Sequence, residues 1–351
     1  MTEKKHIVCI DVLRSIAIIC VVLCHATENV YKLNLDYMSN VNVLSKFFAF
    51  TTFSIGRLGV PFFLFITGYL LLDNYYGHGQ CLDFWKNKWF SLLVTVECWI
   101  IIYDVFLTLH DDQAFYFTSL IKEMLFLKKV DMSHMWYMPM ILGMYLFIPI
   151  AANALQAIHK EMLIFPLSLI SFYVFLIPII NVVLLSFNKN GISSLLSFGF
   201  SGGVYGIYLI LGYFMKHGYL QKIKSTYLIL CAFISFALTL WLQLFAYRHS
   251  YPYNVWYDCG FLMLCALCIF ELFKRIQNFH FEKLFYHISK HSFGIYLIHN
   301  MIQLLMISYI QVINNLPLQV ITLWILSLTV SYFLSFVIRK IPNIGKWLLY
   351  K

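Results

Sequence analysis

Three side chains that could do chemistry interrupt the first apolar segment of the chain. Residues 7–25 read IVCIDVLRSIAIICVVLCH, in which Asp11, Arg14 and His25 are the residues that carry a charge or an imidazole. Arg14 and His25 are 11 residues apart, which in an α-helix is about 16 Å along the axis and about 20° past three full turns. Asp11 lies within about 40° of His25 by the same arithmetic. The three side chains therefore share one stripe of the helix.

These side chains are costly in a membrane-spanning helix, so their presence there indicates a functional site. An imidazole can take a proton from a hydroxyl group and return it. A guanidinium can bind a phosphate through two parallel hydrogen bonds. We interpret the stripe as a polar path with His25 as a base, Arg14 as an anion anchor and Asp11 orienting the arginine. The alternatives are that His25 is a packed, hydrogen-bonded residue and that Arg14 and Asp11 form a structural ion pair.

The elements that must position these side chains are membrane-spanning helices. Of the 351 residues, 61% are hydrophobic and only 12% are charged, which is about half the charge of a soluble domain. Apolar segments of about 20 residues, long enough to cross the hydrocarbon core, recur along the whole sequence. We predict an all-α, polytopic integral membrane helix bundle that forms a single domain over residues 1–351. Its ten predicted spans are residues 7–27, 46–72, 86–109, 135–154, 162–185, 199–215, 225–247, 254–273, 292–313 and 318–338.

The positive charges predict the orientation of this bundle. With the N-terminus inside, 16 Lys and Arg residues, including Lys4, Lys5 and Lys351, fall on the cytoplasmic side and 8 fall on the outer side. The positive-inside rule therefore predicts that both termini are cytoplasmic. Anionic lipid headgroups account for the net charge of +9, so we expect no nucleic-acid partner. Eight of the nine cysteines fall within apolar spans, and we expect no metal site.

Four stretches together carry a resemblance to a known family. They occur in the family's order and comprise residues 10–25 with Asp11, Arg14 and His25, residues 60–70 (VPFFLFITGYL), residues 134–149 (HMWYMPMILGMYLFIP) and residues 292–299 (SFGIYLIH). On these stretches the chain resembles the membrane-bound acyltransferase-3 family, and the third is most similar to its polysaccharide and glycolipid O-acetyltransferase branch. The resemblance implies that acetyl-CoA is the acyl donor and that His25 is catalytic. Arg14 would then bind the donor phosphates.

The resemblance also implies a second phosphate contact at the start of the third span. The family has an Arg-x-x-Arg pair there, and in this chain Lys88 falls at the first position and Ser91 at the second. The sequence therefore departs from the pair, because Ser91 carries no charge. We expect Lys88 to contact the donor with help from Lys86. The alternative is that both lysines only anchor the span at the cytoplasmic surface.

The remaining candidates lie in other spans. His134, Trp136 and Tyr137 stand at the outer start of the fourth span, where they form either a sugar-binding platform or part of an interfacial aromatic belt. His299, near the middle of the ninth span, contacts the substrate or only makes a structural hydrogen bond. Glu97 is the deepest of the other acids, and we expect it to be a catalytic partner of His25 or of an arginine.

The expected function is that of an integral membrane O-acyltransferase in the plasma or inner membrane, which it crosses many times. It would move an acetyl group from cytoplasmic acetyl-CoA to a hydroxyl of a cell-surface polysaccharide or a lipid-linked glycan. Direct transfer and an acyl-histidine intermediate both stay open. The expected partners are membrane lipids and the glycan acceptor, and a homodimer stays open. The alternative function is that of a membrane transporter or binding module for a small polar substrate such as serine.

Overall fold

The computed structural model describes residues 7–110, 115–276, 278–342 and 344–350. Lys4, Lys5 and Lys351, which contribute to the predicted charge asymmetry, lie outside these residues. Over the described residues the chain is helical and contains no β-strand. The all-α prediction is confirmed.

The α-helices are α1 (Val8–Tyr31), α2 (Leu35–Ser39), α3 (Val43–Arg57), α4 (Gly59–Leu71), α5 (His78–Phe84), α6 (Phe90–His110), α7 (Phe117–Met124), α8 (Tyr137–Ala157), α9 (Ile164–Ser171), α10 (Ile177–Ser186), α11 (Gly203–Lys216), α12 (Ser225–Arg248), α13 (Gly260–Arg275), α14 (Glu282–Ile310), α15 (Leu316–Lys340) and α16 (Ile344–Leu348). Short π-helical turns are found at Trp85–Trp89 and Phe172–Leu176. Short 3-10 turns are found at Ser133–Trp136, Lys160–Leu163 and Gly199–Ser201.

Every predicted span coincides with helical structure. Within the described ranges, eight helical stretches are long and apolar enough to cross a membrane, namely Val8–Tyr31, Val43–Leu71, His78–His110, Ser133–Ala157, Lys160–Ser186, Ser225–Arg248, Glu282–Ile310 and Leu316–Lys340. The sixth and eighth predicted spans correspond to α11 and α13, which have only 14 and 16 residues. The ninth span begins about ten residues before the predicted boundary, because α14 already begins at Glu282.

Helix α1 lies at the centre of the bundle. It packs against α14, α3, α4 and α15, and most of its side chains are buried, including Leu13, Ala17, Ile18 and Val22. A helix that is apolar on all sides is typical of such an inner position. The side chains of Asp11, Arg14 and His25 therefore project into the protein interior.

A proline breaks the second span at a position that matters for the site. Pro61 has no N–H to donate to the carbonyl of Arg57, and its ring would clash with that carbonyl if the helix were continuous. Helix α3 accordingly ends at Arg57, and α4 begins at Gly59. The break lies beside α1, because a Cβ on Gly59 would come within 2.6 Å of the carbonyl oxygen of Ala17. Arg57 is thus held at a bend inside the bundle.

Helices α4 and α11 approach each other so closely that their backbones touch. A Cβ on Gly68 would overlap the carbonyl oxygen of Leu209, and a Cβ on Gly212 would overlap the carbonyl oxygen of Phe65. Small residues allow such close approach between helices in lipid, where dispersion contacts replace the hydrophobic effect as the force that holds helices together. These two glycines therefore fix the position of α4, whose N-terminal end carries the proline break.

We predict that Gly212→Ala destabilises the protein, because an added methyl group has no space between α4 and α11. The expected loss is about 1–3 kcal/mol, measured as a lower melting temperature of the purified protein in detergent. Gly143→Ala on α8 is the matched control, because a Cβ there meets no atom within 4 Å. Equal melting temperatures for the two variants would contradict this account of the helix contact.

Candidate active site

Two adjoining cavities lie between Arg14 and His25. The larger cavity has a volume of about 430 Å³, and its lining includes Arg14, Lys290 and Arg339. The smaller one, of about 10 Å³, lies beside His25. Both cavities are lined by Val21, Val60, Tyr137 and Tyr296. The two cavities therefore lie side by side along the polar path predicted from the spacing of Arg14 and His25, and together they are here called the passage.

The imidazole of His25 is held by a carboxylate. Its Nδ1 lies 2.7 Å from Oε2 of Glu28, three residues further along α1. Arg57 Nη2 donates to the other carboxylate oxygen of Glu28 at 2.9 Å, and Arg57 Nη1 donates to the hydroxyl of Tyr257 at 3.1 Å. With Nδ1–H donating to Glu28, the lone pair of His25 resides on Nε2 and is available to a substrate in the cavity. This is the arrangement of a base oriented by an acid.

Glu28, and not Glu97, is thus the acidic partner of His25. Glu97 is half-buried on α6 and lines neither of the two cavities. Two sequence signals could have identified Glu28. Residues three apart on a helix are neighbours, and Arg57 in the adjacent span needs an opposite charge nearby.

Three histidines from distant parts of the sequence meet in this region. The ring centroid of His25 lies 6.0 Å from that of His134 and 5.3 Å from that of His299, and the rings of His134 and His299 are 5.0 Å apart. The structure therefore brings together three of the residues singled out in the sequence. Within the described ranges, however, no group of three or more His, Cys, Asp or Glu side chains is arranged to hold a metal ion.

Both ring nitrogens of His134 are occupied by protein partners. Tyr103 donates its hydroxyl proton to the carbonyl of Leu297, so its oxygen accepts from Nε2–H of His134 at 3.1 Å. Asn300 Nδ2 donates to Nδ1 of His134 at 3.2 Å. His134 therefore has no ring nitrogen left for the hydroxyl of a sugar, and its role here is to hold the 3-10 turn before α8 against α6 and α14.

His299 differs from His134, because one of its nitrogens has no partner. Its Nδ1 donates to the backbone carbonyls of Ile295 and Tyr296, at 3.1 and 2.7 Å. The lone pair therefore resides on Nε2, which is fully buried and lacks a hydrogen-bond partner among the described residues. His299 does not line the cavity beside His25 but packs directly behind it.

Aromatic side chains cover the passage beyond His25. Trp136 packs against Tyr205, Trp256 and Tyr257, with ring centroids 5.2–5.7 Å apart. Trp136 and Tyr137 both line the cavity beside His25, whereas Trp256 is 37% exposed. The aromatic cluster around Trp136 is therefore larger than the sequence indicates, because Trp256 and Tyr257 come from the segment before α13. This cluster forms an aromatic path from the protein surface to the cavity.

Arg14 is held at the other end of the passage. Its Nη1 donates to the hydroxyl of Ser289 at 3.2 Å and lies 3.6 Å from Oδ1 of Asp11. Ser289 in turn donates to Asp11. Asp11 itself lines neither cavity. Its contact with Arg14 is the one that the helical spacing predicts, and its role as an orienting group stays a prediction.

Apart from Arg14, the cations around the large cavity are not those expected from the sequence. Lys86 and Lys88 are exposed on the π-helical turn before α6, and neither lines this cavity. Lys290 of α14 and Arg339 of α15 line it together with Arg14. Arg339 Nη1 donates to the carbonyl of Lys290 at 2.7 Å, which ties the two helices together at this end. The sequence did not indicate these two residues, because they meet only through the packing of α14 on α15.

Comparison with known proteins gives one match. The sequence model of the acyltransferase-3 family, described as an acyltransferase domain, matches residues 7–340. No curated protein and no solved structure matches the chain. The matched range includes both cavities and almost all of the residues that line them.

We predict that Tyr103→Phe destabilises the protein, because Nε2–H of His134 then has no acceptor in a buried site. An unsatisfied buried group costs about 1–3 kcal/mol, which should appear as a lower melting temperature in detergent. Tyr309→Phe, at a position 80% exposed, is the matched control. If Tyr103→Phe melts at the temperature of the unmodified protein, the hydrogen bond to His134 does not hold this region together.

Proposed function

Because the chain belongs to the acyltransferase-3 family of membrane proteins, we propose that it transfers an acetyl group from cytoplasmic acetyl-CoA to a hydroxyl of a cell-surface polysaccharide or a lipid-linked glycan. The observation that carries this proposal is the pair of adjoining cavities between a cluster of cations and His25. The membrane is the plasma or inner membrane, where a cytoplasmic thioester and an exported glycan can reach opposite ends of one passage.

The donor binds in the larger cavity. Arg14, Lys290 and Arg339 line it, and arginine matches the geometry of a phosphate with two parallel hydrogen bonds. The apolar part of its lining, which includes Phe63 and Leu70, suits the thin pantetheine arm. The separation of Arg14 and His25, about 16 Å along α1, is of the length that such an arm spans. The thioester carbonyl then arrives next to His25.

Transfer proceeds with His25 as a general base. Its Nε2 takes the proton from the acceptor hydroxyl as the oxygen attacks the thioester carbonyl. A C–O bond forms and the C–S bond breaks, and the leaving thiolate takes the proton back from the imidazolium. The products are an ester and a free thiol. Glu28 stabilises the imidazolium through Nδ1–H, and Arg57 keeps Glu28 ionised and in position.

The acceptor reaches His25 through the aromatic cluster. Sugar rings have apolar faces that pack on aromatic side chains, and Trp136 and Trp256 offer such faces between the surface and the cavity. Tyr137 and Tyr257 line the same cavity and add hydroxyl groups. This arrangement supports an acceptor that has a ring and several hydroxyls.

We predict that His25→Ala lowers acyl transfer about 10³-fold, because removal of a general base costs 10²–10⁴-fold. Glu28→Gln should lower it about 10²-fold or more, because it removes the charge that stabilises the imidazolium. The measurement is transfer of radiolabel from acetyl-CoA to the glycan and lipid fractions of membranes that contain the protein. His249→Ala, at an exposed histidine after α12, is the matched control. Retained transfer in a folded His25→Ala variant would remove His25 from the mechanism.

A second prediction tests the donor site. Arg339→Gln should raise the KM for acetyl-CoA about tenfold, because a hydrogen bond to a charged group contributes about 1.5–3 kcal/mol. Lys222→Gln, at an exposed lysine between α11 and α12, is the control. Lys88→Gln is measured in the same series. A larger rise in KM for Lys88→Gln than for Arg339→Gln would assign the phosphates to the π-helical turn instead.

A further inference from the structure

The two cavities meet at a boundary of four side chains. Val21, Val60, Tyr137 and Tyr296 line both cavities and so stand between them, and this boundary is here called the neck. The cavity on the His25 side measures about 10 Å³, which is about the space that one water molecule needs. A reacting group that reaches His25 through the neck must therefore be very small.

The walls of this neck cannot easily move apart. A Cβ on Gly56 would lie 2.6 Å from Cα of Cys24, and a Cβ on Gly59 would lie 2.7 Å from Cγ2 of Val21. The backbone just before Val60 is therefore in direct contact with α1 at two positions. Valine is also stiff, because its branched Cβ leaves one strongly preferred rotamer in a helix. Val21 and Val60 thus form a fixed apolar constriction.

We propose that Val21 and Val60 restrict the donor to an acetyl group. The inference rests on the proposed function and names the specificity of the same site. An acetyl group brings only a methyl group against the two valines, whereas propionyl and butyryl must pack one and two further methylenes against the same side chains. A succinyl group would in addition bring an unpaired carboxylate against apolar walls, where burial of a charge is costly. The length of the donor's acyl chain is therefore limited at the neck.

Donor selection can be measured with water in place of the unidentified acceptor. The purified protein in detergent is given acetyl-, propionyl- or butyryl-coenzyme A, and release of free thiol is followed. Water then adds to the carbonyl, the C–S bond breaks, and the products are a carboxylic acid and the thiol. The expected rate falls about tenfold for each added methylene.

Variants of the neck test the role of the two valines. Val60→Ala should raise the ratio of butyryl to acetyl cleavage about tenfold or more. Val21→Ala should raise the ratio in the same direction, and it keeps the test decisive if Val60→Ala does not fold. Val22→Ala is the matched control, because Val22 is fully buried next to Val21 but lines neither cavity. The ratio of butyryl to acetyl cleavage by Val22→Ala should equal that of the unmodified protein.

The possible outcomes distinguish failure of the proposed donor selectivity from failure of the proposed acyltransferase function. Equal rates with acetyl- and butyryl-coenzyme A in the unmodified protein would overturn the inference and leave the acyltransferase function standing. A ratio raised as much by Val22→Ala as by Val60→Ala would also overturn it, because the effect would then be general loosening of the core. Absence both of thiol release from every donor and of label transfer to the glycan and lipid fractions of membranes would instead overturn the proposed function, and the inference with it.

Discussion

The ion pair between Arg57 and Glu28 is the interaction on which the site depends. Arg57 is 5% exposed inside a membrane protein, where an unpaired charge would be strongly destabilising. Glu28 neutralises it, and the same carboxylate orients His25. The pair exists because Pro61 ends α3 at Arg57, one turn before the proline, and so holds the guanidinium beside α1. The position of Arg57, the neutralisation of its charge by Glu28 and the orientation of His25 therefore all depend on the helix break before Pro61.

Close helix packing gives the site its shape. Glycines at positions 56 and 59 bring the broken second span against α1, and glycines at positions 68 and 212 bring α11 against α4. Side-chain amides add polar contacts between α1 and α14: Asn29 donates to Gln303 at 2.8 Å, and Gln303 donates to the carbonyl of Val22 at 3.0 Å. Such contacts are satisfied within the bundle because lipid offers no partner. The two cavities are the spaces that remain unfilled between these closely packed helices.

The sequence predicts well what depends on local pattern. Hydropathy places a helix at each of the ten predicted spans, of which eight are long and apolar enough to cross a membrane among the described residues. A 3.6-residue period places Arg14 and His25 on one stripe of α1. The sequence predicts poorly the contacts that depend on tertiary packing. His25 and His299 belong to helices far apart in the chain, yet their rings are 5.3 Å apart. Lys290 and Arg339 meet only where α14 packs on α15. Lys88, which falls at the first position of the family pattern, and its neighbour Lys86 are exposed. Glu28 could have been found from its spacing to His25.

The narrow neck has a consequence for the cell as well as for the substrate. A water-filled passage across the bilayer would let protons flow down their gradient and dissipate the energy that the membrane stores. Two valines and two tyrosines surround the neck, and the space beyond it admits about one water molecule. An unbroken file of waters cannot form there. The protein can therefore keep polar side chains at both ends of the neck and still block the flow of protons across the bilayer.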